Sequence, residues 1–558
     1  MTAALPLAFQ PVRADWRYAD GDPHLRVERW TAQRFLQLNG KACFWWVTLG
    51  RWACIPFVIL GAYVCSLWAC DLYGEAAGFA AAALWSLSPY VLGHGALITT
   101  DAHAASMGVV AAYCYWRWLH RPSMQRAIVA GIALGLAALT KYTLLVLYPC
   151  FFIVFLMFRT KDAFQDCRVF TRDGIKLATV FVVSVVIIQA GHGFDDCRPK
   201  LGNLTFRSTL FRNAQSLARD EQTVSPIKWL ARNTPVPLPR AYLLGLDTQL
   251  ADFQRGYPSY LRGEWRNKGW WYYYLYGLCV KTPIGSIVLV FMALAITFIR
   301  PFYNRNWKDE WSVLLPFASI FILVSAQTGF SLHLRYVLPA LPFLGIWISK
   351  LFQSSRFGDW TVLLVSSTAL VHSSASSLAV YPHSLSYFNE LVGGPEQGYK
   401  HLSGSNVSWG QDLIYLAEWL KEHPEVQDLR LASYGPIDPR LTGIEFTVPP
   451  VAPDHAVGSI QDDHGSRSEE SLRSDDTAGP LPGWYAIDVN FLAGDLTAVH
   501  NGSGERQDVC TRYFNLKYFE NFTPVARIGY SFHVYHLPME DANQLRSRMR
   551  LPLLTTEK

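Results

Sequence analysis

The pattern of hydrophobic positions divides the 558-residue chain into a long apolar stretch and a more polar final third. Apolar residues are concentrated between about positions 44 and 378, whereas the last third has the mixed pattern of a soluble domain. A helix needs about 20 predominantly apolar residues to cross the hydrocarbon core of a bilayer. The sequence therefore predicts about ten membrane helices, at 52–70, 76–96, 101–118, 126–140, 142–158, 175–190, 284–299, 311–328, 335–351 and 360–378.

Lysine and arginine residues cluster in alternate loops between these segments, at 117–126, 159–176, 300–308 and 350–356. Because cytoplasmic loops carry an excess of Lys and Arg, we predict that these loops face the cytoplasm. The segments 1–50, 191–283 and 379–558 are then predicted to lie outside. No apolar run within 1–50 carries that segment across the membrane, and no signal peptide is visible. Either the N-terminus is translocated unaided, or the native start lies upstream with one more crossing, and we favour the second interpretation.

The predicted organisation has three parts: an outer N-terminal segment (1–50), a transmembrane domain (51–378) and an outer soluble domain (379–558). The predicted fold class is mostly α, a polytopic membrane helix bundle with a C-terminal α/β domain. In that domain, 411–422 has a helical pattern with apolar residues on one side, and 454–480 has the polar composition of a disordered insertion. Strand patterns are predicted at 429–434, 484–492 and 525–537.

The predicted outer loop 191–283 is too long and too rich in aromatic residues for a simple connector, which favours a functional role. Its end, 269–274, is predicted either to enter the membrane plane as a helix or to form an interfacial aromatic belt.

Composition excludes some classes of partner. The net charge is only +5 and no long basic run is present, which argues against a nucleic-acid partner. The 10 cysteines include no CxxC pair, and most lie in apolar segments, where small packing residues are expected. Cys197 and Cys510 both lie in predicted outer regions, so a disulfide between them is one possibility that spacing alone does not decide.

Ionisable groups at the ends of membrane segments are candidate functional residues. The first candidates are His94, in a stretch that Pro89, Gly93 and Gly95 interrupt, and Asp101, which follows that stretch. A carboxylate at this outer mouth could act as a base, bind a divalent metal or orient a hydroxyl group. The structural alternative is that Asp101 caps the helix that follows it.

Cationic candidates lie on the same predicted side. Lys141 separates two apolar stretches, and it could bind a lipid phosphate or extend its charge to the interface as a structural residue. Arg335 could bind phosphate through two hydrogen bonds, with His333 and Tyr336 beside it, or anchor the helix at the interface. Lys281 precedes Pro283 and could join the same site or face lipid head groups.

A last group follows the final predicted membrane helix and could line a substrate cleft between the membrane and the soluble domain. The alternative is a tight loop that caps the helix at 411–422. Its members are Asn389, Glu390, Asn406, Trp409, Gln411 and Asp412. No phosphate-binding loop, dinucleotide fingerprint, HExxH or GxSxG motif is present, so a lipid-borne donor is favoured over a nucleotide sugar.

Taken in order, these motifs resemble the polyprenyl-phosphate-dependent membrane glycosyltransferases of the C-type fold. Within them, family 39, with the protein O-mannosyltransferases and the bacterial aminoarabinose transferases as relatives, is most similar. The resemblance covers most of the chain from about 50 to 430, and the ordered series is more specific than any one motif. The matching stretches are 87–95, 99–101, 139–142, 269–273, 281–283, 333–339, 386–390 and 405–412.

The resemblance implies transfer of a sugar from polyprenyl phosphate to an acceptor hydroxyl, with inversion at the anomeric carbon. It implies that Asp101 assists an acidic base in the first outer loop, and that Lys141 and Arg335 hold the phosphate. The sequence departs from the family pattern at its beginning. The first helix and its acidic pair are absent, and the nearby acids Asp15, Asp20 and Asp22 do not match their context.

Two alternatives to the enzyme stay open. A transporter or flippase of a lipid-linked substrate would be expected to show inverted repeats and broken helices near the bilayer centre. This sequence shows no repeat, and its ionisable residues cluster at one face instead. A catalytically inactive membrane scaffold is the second alternative, because the first acidic loop is missing. The sequence identifies neither the sugar nor the acceptor, and it leaves a divalent metal open.

Overall fold

The computed structural model describes residues 2–15, 27–165, 167–200, 203–219, 235–299, 306–353, 360–450, 478–495, 499–500 and 516–555. The chain divides into two units. The first contains Met1–Leu38, Cys43–Ser259 and Trp265–Ser384. The second contains Asn39–Ala42, Tyr260–Glu264 and Leu385–Lys558.

Helices dominate the first unit. Those before the segment 191–283 are α1 Val27–Asn39, α2 Ala42–Trp52, α3 Ile55–Tyr73, α4 Glu75–Ser86, α5 Pro89–His94, α6 Thr100–His120, α7 Met124–Thr140, α8 Leu147–Gln165 and α9 Cys167–Gly191. The later ones are α10 Thr209–Arg219, α11 Arg240–Arg255, α12 Tyr273–Lys281, α13 Ile284–Ile299, α14 Trp307–Ser325, α15 Leu341–Ile348 and α16 Trp360–Ala379. Strands β1 Ser259–Leu261 and β2 Glu264–Arg266 form a two-stranded sheet.

Several of these helices are long and apolar enough to cross a membrane, which confirms a multi-pass membrane protein. Within the described residues they are Ala42–Tyr73, Tyr142–Thr160, Arg168–Gly191, Leu334–Phe352 and Trp360–Ala379. The pair α12 and α13 meets the same criteria together but bends by 117° at the break between them. The prediction of one helix over 76–96 is wrong: α4 ends at Ser86 and α5 begins at Pro89, because proline fits a first helical turn but interrupts a helix interior.

Small residues allow the membrane helices to approach closely. A Cβ atom added at Gly135 of α7 would lie 2.6 Å from Cβ of Ile187 and 2.7 Å from the carbonyl oxygen of Ser184, both in α9. Such close backbone contact is a general means of helix association in membranes, where apolar burial gives no driving force between helices.

Asp173 of α9 anchors a buried polar network at the end of α6. It lies 2.9 Å from Nε of Arg159 and 2.9 Å from Nζ of Lys176. The predicted loop cations at 159–176 thus belong largely to the ends of α8 and α9. At the same end, His120 Nε2 lies 3.0 Å from Oδ1 of Asp309 in α14.

Lys350, predicted as a cation of a cytoplasmic loop, is instead fully buried within a 3₁₀ turn. Its Nζ donates to Oγ1 of Thr297 at 2.7 Å and to Oε2 of Glu310 at 3.3 Å. A buried ammonium group needs such partners, because burial of an unpaired charge is costly. The hydrophobic pattern alone did not reveal the pairing.

The segment 191–283 contains α10, α11 and the sheet β1–β2. Asp247 of α11 is buried and accepts hydrogen bonds from the backbone N–H groups of Arg207 and Ser208, at 2.7 and 2.9 Å. It therefore fixes the start of α10 in the way that a capping residue does. Leu204 and Phe206 pack nearby against leucines of α11.

The second unit contains a four-stranded sheet of order β3–β4–β6–β5, in which β3 and β4 are parallel and the other neighbours are antiparallel. Its elements are α17 Leu413–Glu422, β3 Arg430–Ala432, β4 Gly483–Asp488, α18 Val489–Leu492, β5 Ala526–Ile528, β6 Phe532–Leu537 and α19 Met539–Arg548. Leu413 and Leu416 of α17 pack against Ala486 and Val534 of the sheet. The predicted class, mostly α with an α/β C-terminal part, is confirmed.

Two of the predicted strands have different limits in the structure. The run 484–492 ends as a strand at Asp488, whose side chain caps α18 by accepting from the N–H of Asn490. The run 525–537 is two strands, because Gly529 and Tyr530 turn the chain with positive φ values of 59° and 66°. Most of the predicted insertion 454–480, together with Cys510, Asp20 and Asp22, lies outside the described residues.

Candidate active site

Asp101 lies in the first turn of α6, one residue inside the helix. The N-cap is Thr99, and its side chain makes no capping hydrogen bond. Asp101 is only 3% exposed, and its carboxylate contacts cations from two other elements. The alternative in which Asp101 serves as the N-cap residue is therefore wrong.

The first of these cations is Lys141, which follows α7 with an extended backbone before a 3₁₀ turn at Tyr142–Val146. This break in helical structure separates α7 from α8. Nζ of Lys141 donates to Oδ1 of Asp101 at 2.5 Å. The ammonium also lies 4.6 Å from the ring centre of Tyr336, a cation–π distance.

The second cation is Arg335, in the 3₁₀ turn Leu334–Ala340 that precedes α15. Its Nε lies 3.5 Å from Oδ2 of Asp101. The ring of Tyr336 lies near both cations, with the guanidinium carbon of Arg335 at 5.7 Å, and His333 packs against the same ring at 5.4 Å. Lys141 and Arg335 thus contact one carboxylate, and both lie beside one tyrosine ring.

Two tyrosines of α12 form hydrogen bonds with the segment that precedes this turn. The hydroxyl of Tyr273 donates to the carbonyl of Leu332 at 3.0 Å, and that of Tyr274 donates to the carbonyl of Phe330 at 3.2 Å. Both tyrosines are buried, whereas the preceding Trp271 is 72% exposed. In the predicted aromatic stretch at 269–274, the two later tyrosines therefore position the Arg335 turn, Trp270 is buried, and Trp271 and Tyr272 are exposed.

His94 and Lys281 lie at the same end of the bundle. A hydrogen bond of 3.3 Å between Tyr90 Oη and Thr282 Oγ1 joins α5 to the residue after α12. Both His94 and Lys281 are buried, so Lys281 does not face lipid head groups. His94 lies within electrostatic range of Asp101, Lys141, Lys281 and Arg335.

The groups together form an anion-binding arrangement with a carboxylate at its centre. Lys141 and Arg335 against Asp101 leave one net positive charge, before the buried Lys281 is counted. A phosphate group is complementary to such a pair of cations. Among the described residues, no three His, Cys, Asp or Glu side chains are placed to hold a metal ion.

The candidate cleft residues all belong to the second unit, and the structure places most of them inside a packed loop. Asn406 donates to the carbonyl of Ser403 at 2.9 Å, and Gln411 accepts from the N–H of Trp409 at 2.7 Å. Asn389 and Asp412 are fully buried, whereas Glu390 is exposed. These contacts are those of a tight loop, as in the alternative left open from the sequence, but the side chain of Asp412, the N-cap residue of α17, makes no capping hydrogen bond.

Sequence analysis missed Asp488, which is the centre of the polar core of the second unit. Its carboxylate accepts from Ser408 Oγ at 2.8 Å and from the N–H of Asn490 at 2.9 Å. Burial raises the pKa of Asp488 to about 8, and the carboxylates of Asp412 and Asp495 add to the rise. A polar residue at the end of a buried strand was the available indication.

Comparison with known proteins supports the resemblance drawn from the motifs. The model of the dolichyl-phosphate-mannose-protein mannosyltransferase family matches residues 26–188. This match confirms the resemblance over a stretch that includes His94, Asp101 and Lys141. No curated protein matches the chain by sequence.

Two solved structures of ArnT from Cupriavidus metallidurans are distantly similar. The crystal structure bound to undecaprenyl phosphate is 14% identical, with a TM-score of 0.37, and the alignment covers 88% of this chain and 86% of that one. The structure in the apo state is 13% identical with the same TM-score, and the alignment covers 88% and 83% of the two chains.

Proposed function

We propose that this protein transfers a sugar from a polyprenyl-phosphate carrier to a hydroxyl group of a protein, lipid or glycan acceptor on the outer face of the membrane. The observation that carries the proposal is the buried contact of Asp101 with both Lys141 and Arg335. The match to a family named for transfer from dolichyl-phosphate mannose supports a lipid-phosphate donor.

The proposed reaction is a displacement at the anomeric carbon of the lipid-linked sugar. The acceptor oxygen attacks that carbon and forms the new glycosidic bond, while the bond to the phosphate oxygen breaks and its electron pair stays on the phosphate. Asp101 takes or directs the proton of the acceptor hydroxyl, and His94 assists it. Lys141 and Arg335 stabilise the charge that develops on the leaving phosphate, with Lys281 as a third cation.

The test is transfer of labelled sugar from polyprenyl phosphate in membranes that contain the full chain. Asp101→Asn and Arg335→Ala should each lower transfer by about 100-fold or more, because each removes a group that acts in the transition state. Arg117→Ala is the matched control, since Arg117 also lies beside an aromatic ring of the bundle, at 5.7 Å from Tyr113. Near-normal transfer by both site variants, at unchanged membrane levels, would refute the assignment.

The proposed sidedness has its own test. Single cysteines would replace Lys421, in the predicted outer domain, and Arg121, in a predicted cytoplasmic loop, in a chain without other cysteines. Both positions are exposed. A membrane-impermeant maleimide should label the cysteine at 421 in intact cells and the cysteine at 121 only after lysis. The reverse pattern would place the candidate site on the cytoplasmic side.

A further inference from the structure

The contact between Asp101 and the two cations has a consequence for how the lipid phosphate binds. In this structure both cations that the proposed function assigns to the phosphate are engaged by one carboxylate, at 2.5 Å from Lys141 and 3.5 Å from Arg335. Asp101 is buried, and the side chains of Lys141 and Arg335 are largely buried as well. A phosphate oxygen that binds these cations must therefore compete with the carboxylate.

Electrostatic repulsion prevents the Asp101 carboxylate and the lipid phosphate from binding the two cations at the same time. A carboxylate and a phosphate that are held beside the same buried cations repel each other strongly, because the dielectric there is low. Release of the carboxylate also changes its chemistry, because a nearby cation stabilises the charged form and so makes the carboxylate a weaker base.

The backbone around the cations permits such an exchange. Lys141 is an extended residue between a helix and a 3₁₀ turn, and Arg335 belongs to a second 3₁₀ turn. Neither cation is fixed in the interior of an α-helix. The ring of Tyr336 lies beside both, so each cation keeps an aromatic contact whichever anion it binds.

From these observations we infer that Asp101 binds the two phosphate-binding cations until the lipid phosphate displaces it. This displacement frees Asp101 to act on the acceptor. The inference rests on the proposed function, since it takes the lipid phosphate as the competing anion. It couples donor binding to activation of the carboxylate. It also assists release of the product, because Asp101 re-forms its contacts as polyprenyl phosphate leaves.

The charge of the product explains why its release should need the assistance of Asp101. The sugar-bearing donor is a phosphodiester with one negative charge, whereas the product is a phosphomonoester that carries up to two near neutral pH. The cations therefore hold the product more tightly than the donor. A competing carboxylate offsets this difference, and its removal should favour retention of the product.

The experiment measures binding and turnover separately, on the purified full chain in nanodiscs of zwitterionic lipid. Undecaprenyl phosphate is the probe and undecaprenol, which lacks the phosphate, is the reference. With Asp101→Asn, the dissociation constant for undecaprenyl phosphate should fall by on the order of tenfold, as expected when a competing state is removed. Transfer by the same variant should fall, and Asp101→Glu, which keeps the charge, should bind the probe as the unaltered chain does.

Asp173→Asn is the matched control. Asp173 is an equally buried aspartate with an arginine and a lysine as partners, and it lies at the other end of α6. If loss of any such carboxylate changed lipid binding through the stability or net charge of the bundle, this variant would show the same tightening. We expect it to leave the affinity for undecaprenyl phosphate unchanged, and size-exclusion chromatography would verify that each variant is folded.

The outcomes separate the inference from the proposed function. Unchanged or weaker binding by Asp101→Asn, with the unaltered chain active and binding the probe, would overturn the inference alone and make Asp101 a residue that positions the cations. Tighter binding without any transfer by the unaltered chain would support the exchange and count against the proposed reaction. Equal binding of undecaprenyl phosphate and undecaprenol by the unaltered chain would overturn both.

Discussion

Replacement of Lys141 by glutamine tests the shortest contact of the candidate site, which joins Lys141 to Asp101. The Lys141 ammonium lies 2.5 Å from Asp101 and beside the Tyr336 ring, with its side chain only 16% exposed. A preorganised donor that stabilises charge developing in a shielded site contributes about 3–4 kcal/mol, which corresponds to 10²–10³ in kcat. We therefore expect Lys141→Gln to lower kcat by about 100-fold or more, with a smaller change in KM because Arg335 remains.

The assay is single-turnover transfer of labelled sugar from polyprenyl phosphate, with protein amounts matched by quantification of the membrane fraction. Lys308→Gln is the control: Lys308 also lies over an aromatic ring, at 5.5 Å from Phe158, and contacts neither Asp101 nor Arg335. A kcat within twofold of the unaltered chain for Lys141→Gln, or equal losses for both lysine variants, would refute the reasoning.

A double-mutant cycle extends the same test to the pair. Groups that act as a unit show strongly non-additive losses, so Asp101→Asn should cost much less in a Lys141→Gln background than on its own. Additive losses would mean that the two side chains contribute independently, despite their contact in the structure.

Three further predictions concern the scaffold. The pKa of Asp488 is raised to about 8 in the folded protein, so the stability of the second unit should fall as pH rises from about 4 to 8. Asp488→Asn should remove most of that pH dependence. Hydrogen exchange, corrected for intrinsic rates, measures both. Gly135→Ala should destabilise the bundle by about 1–3 kcal/mol, because the added methyl group would clash with Ile187. Gly174→Ala is the control, since no atom lies within 4 Å of a Cβ atom added there. Thermal stability in detergent compares the two variants. Asp247→Ala should expose the start of α10 to protease and cost about 1–2 kcal/mol, and Asp247→Asn, which keeps only one of the two acceptor oxygens, should cost less.

Local chemistry predicted the elements that carry the candidate site. The proline at 89 correctly indicated a broken helix within the cluster 88–95, although the apolar pattern had placed one continuous helix there. Lys141 was recognised because a charge interrupted two apolar stretches, and the structure places it at the junction of α7 and α8. These signals act over a few residues, which is the range that sequence patterns report.

Contacts between distant parts of the chain could not be predicted in the same way. Asp101 meets Lys141 across 40 positions and Arg335 across 234, and spacing contains no information on either contact. Asp488 was missed because its partner Ser408 precedes it by 80 residues. The residues around 406–412 show the opposite error: their polar character suggested a binding cleft, but much of it is used in hydrogen bonds within the loop itself.

The two ends of α6 offer an internal comparison of two similar charge clusters. Asp101 and His120 are nineteen residues apart on this helix, or about 28 Å at 1.5 Å per residue, close to the thickness of the hydrocarbon core. At one end Asp101 meets a lysine and an arginine, and at the other Asp173 of α9 does the same. A similar set of charges therefore lies near each end of α6.

The surroundings of the two clusters differ in a way that separates structure from function. Around Asp173, the cations also donate to backbone carbonyls at helix ends, Arg159 to Leu119 at 2.7 Å and Lys176 to Pro122 at 3.2 Å, and both belong to regular helices. These contacts bind four chain segments together, as a structural network does. The cations around Asp101 come from an extended residue and a 3₁₀ turn instead. Because burial of charge is costly, ionisable groups that are buried in a membrane protein without such a structural network are candidates for function.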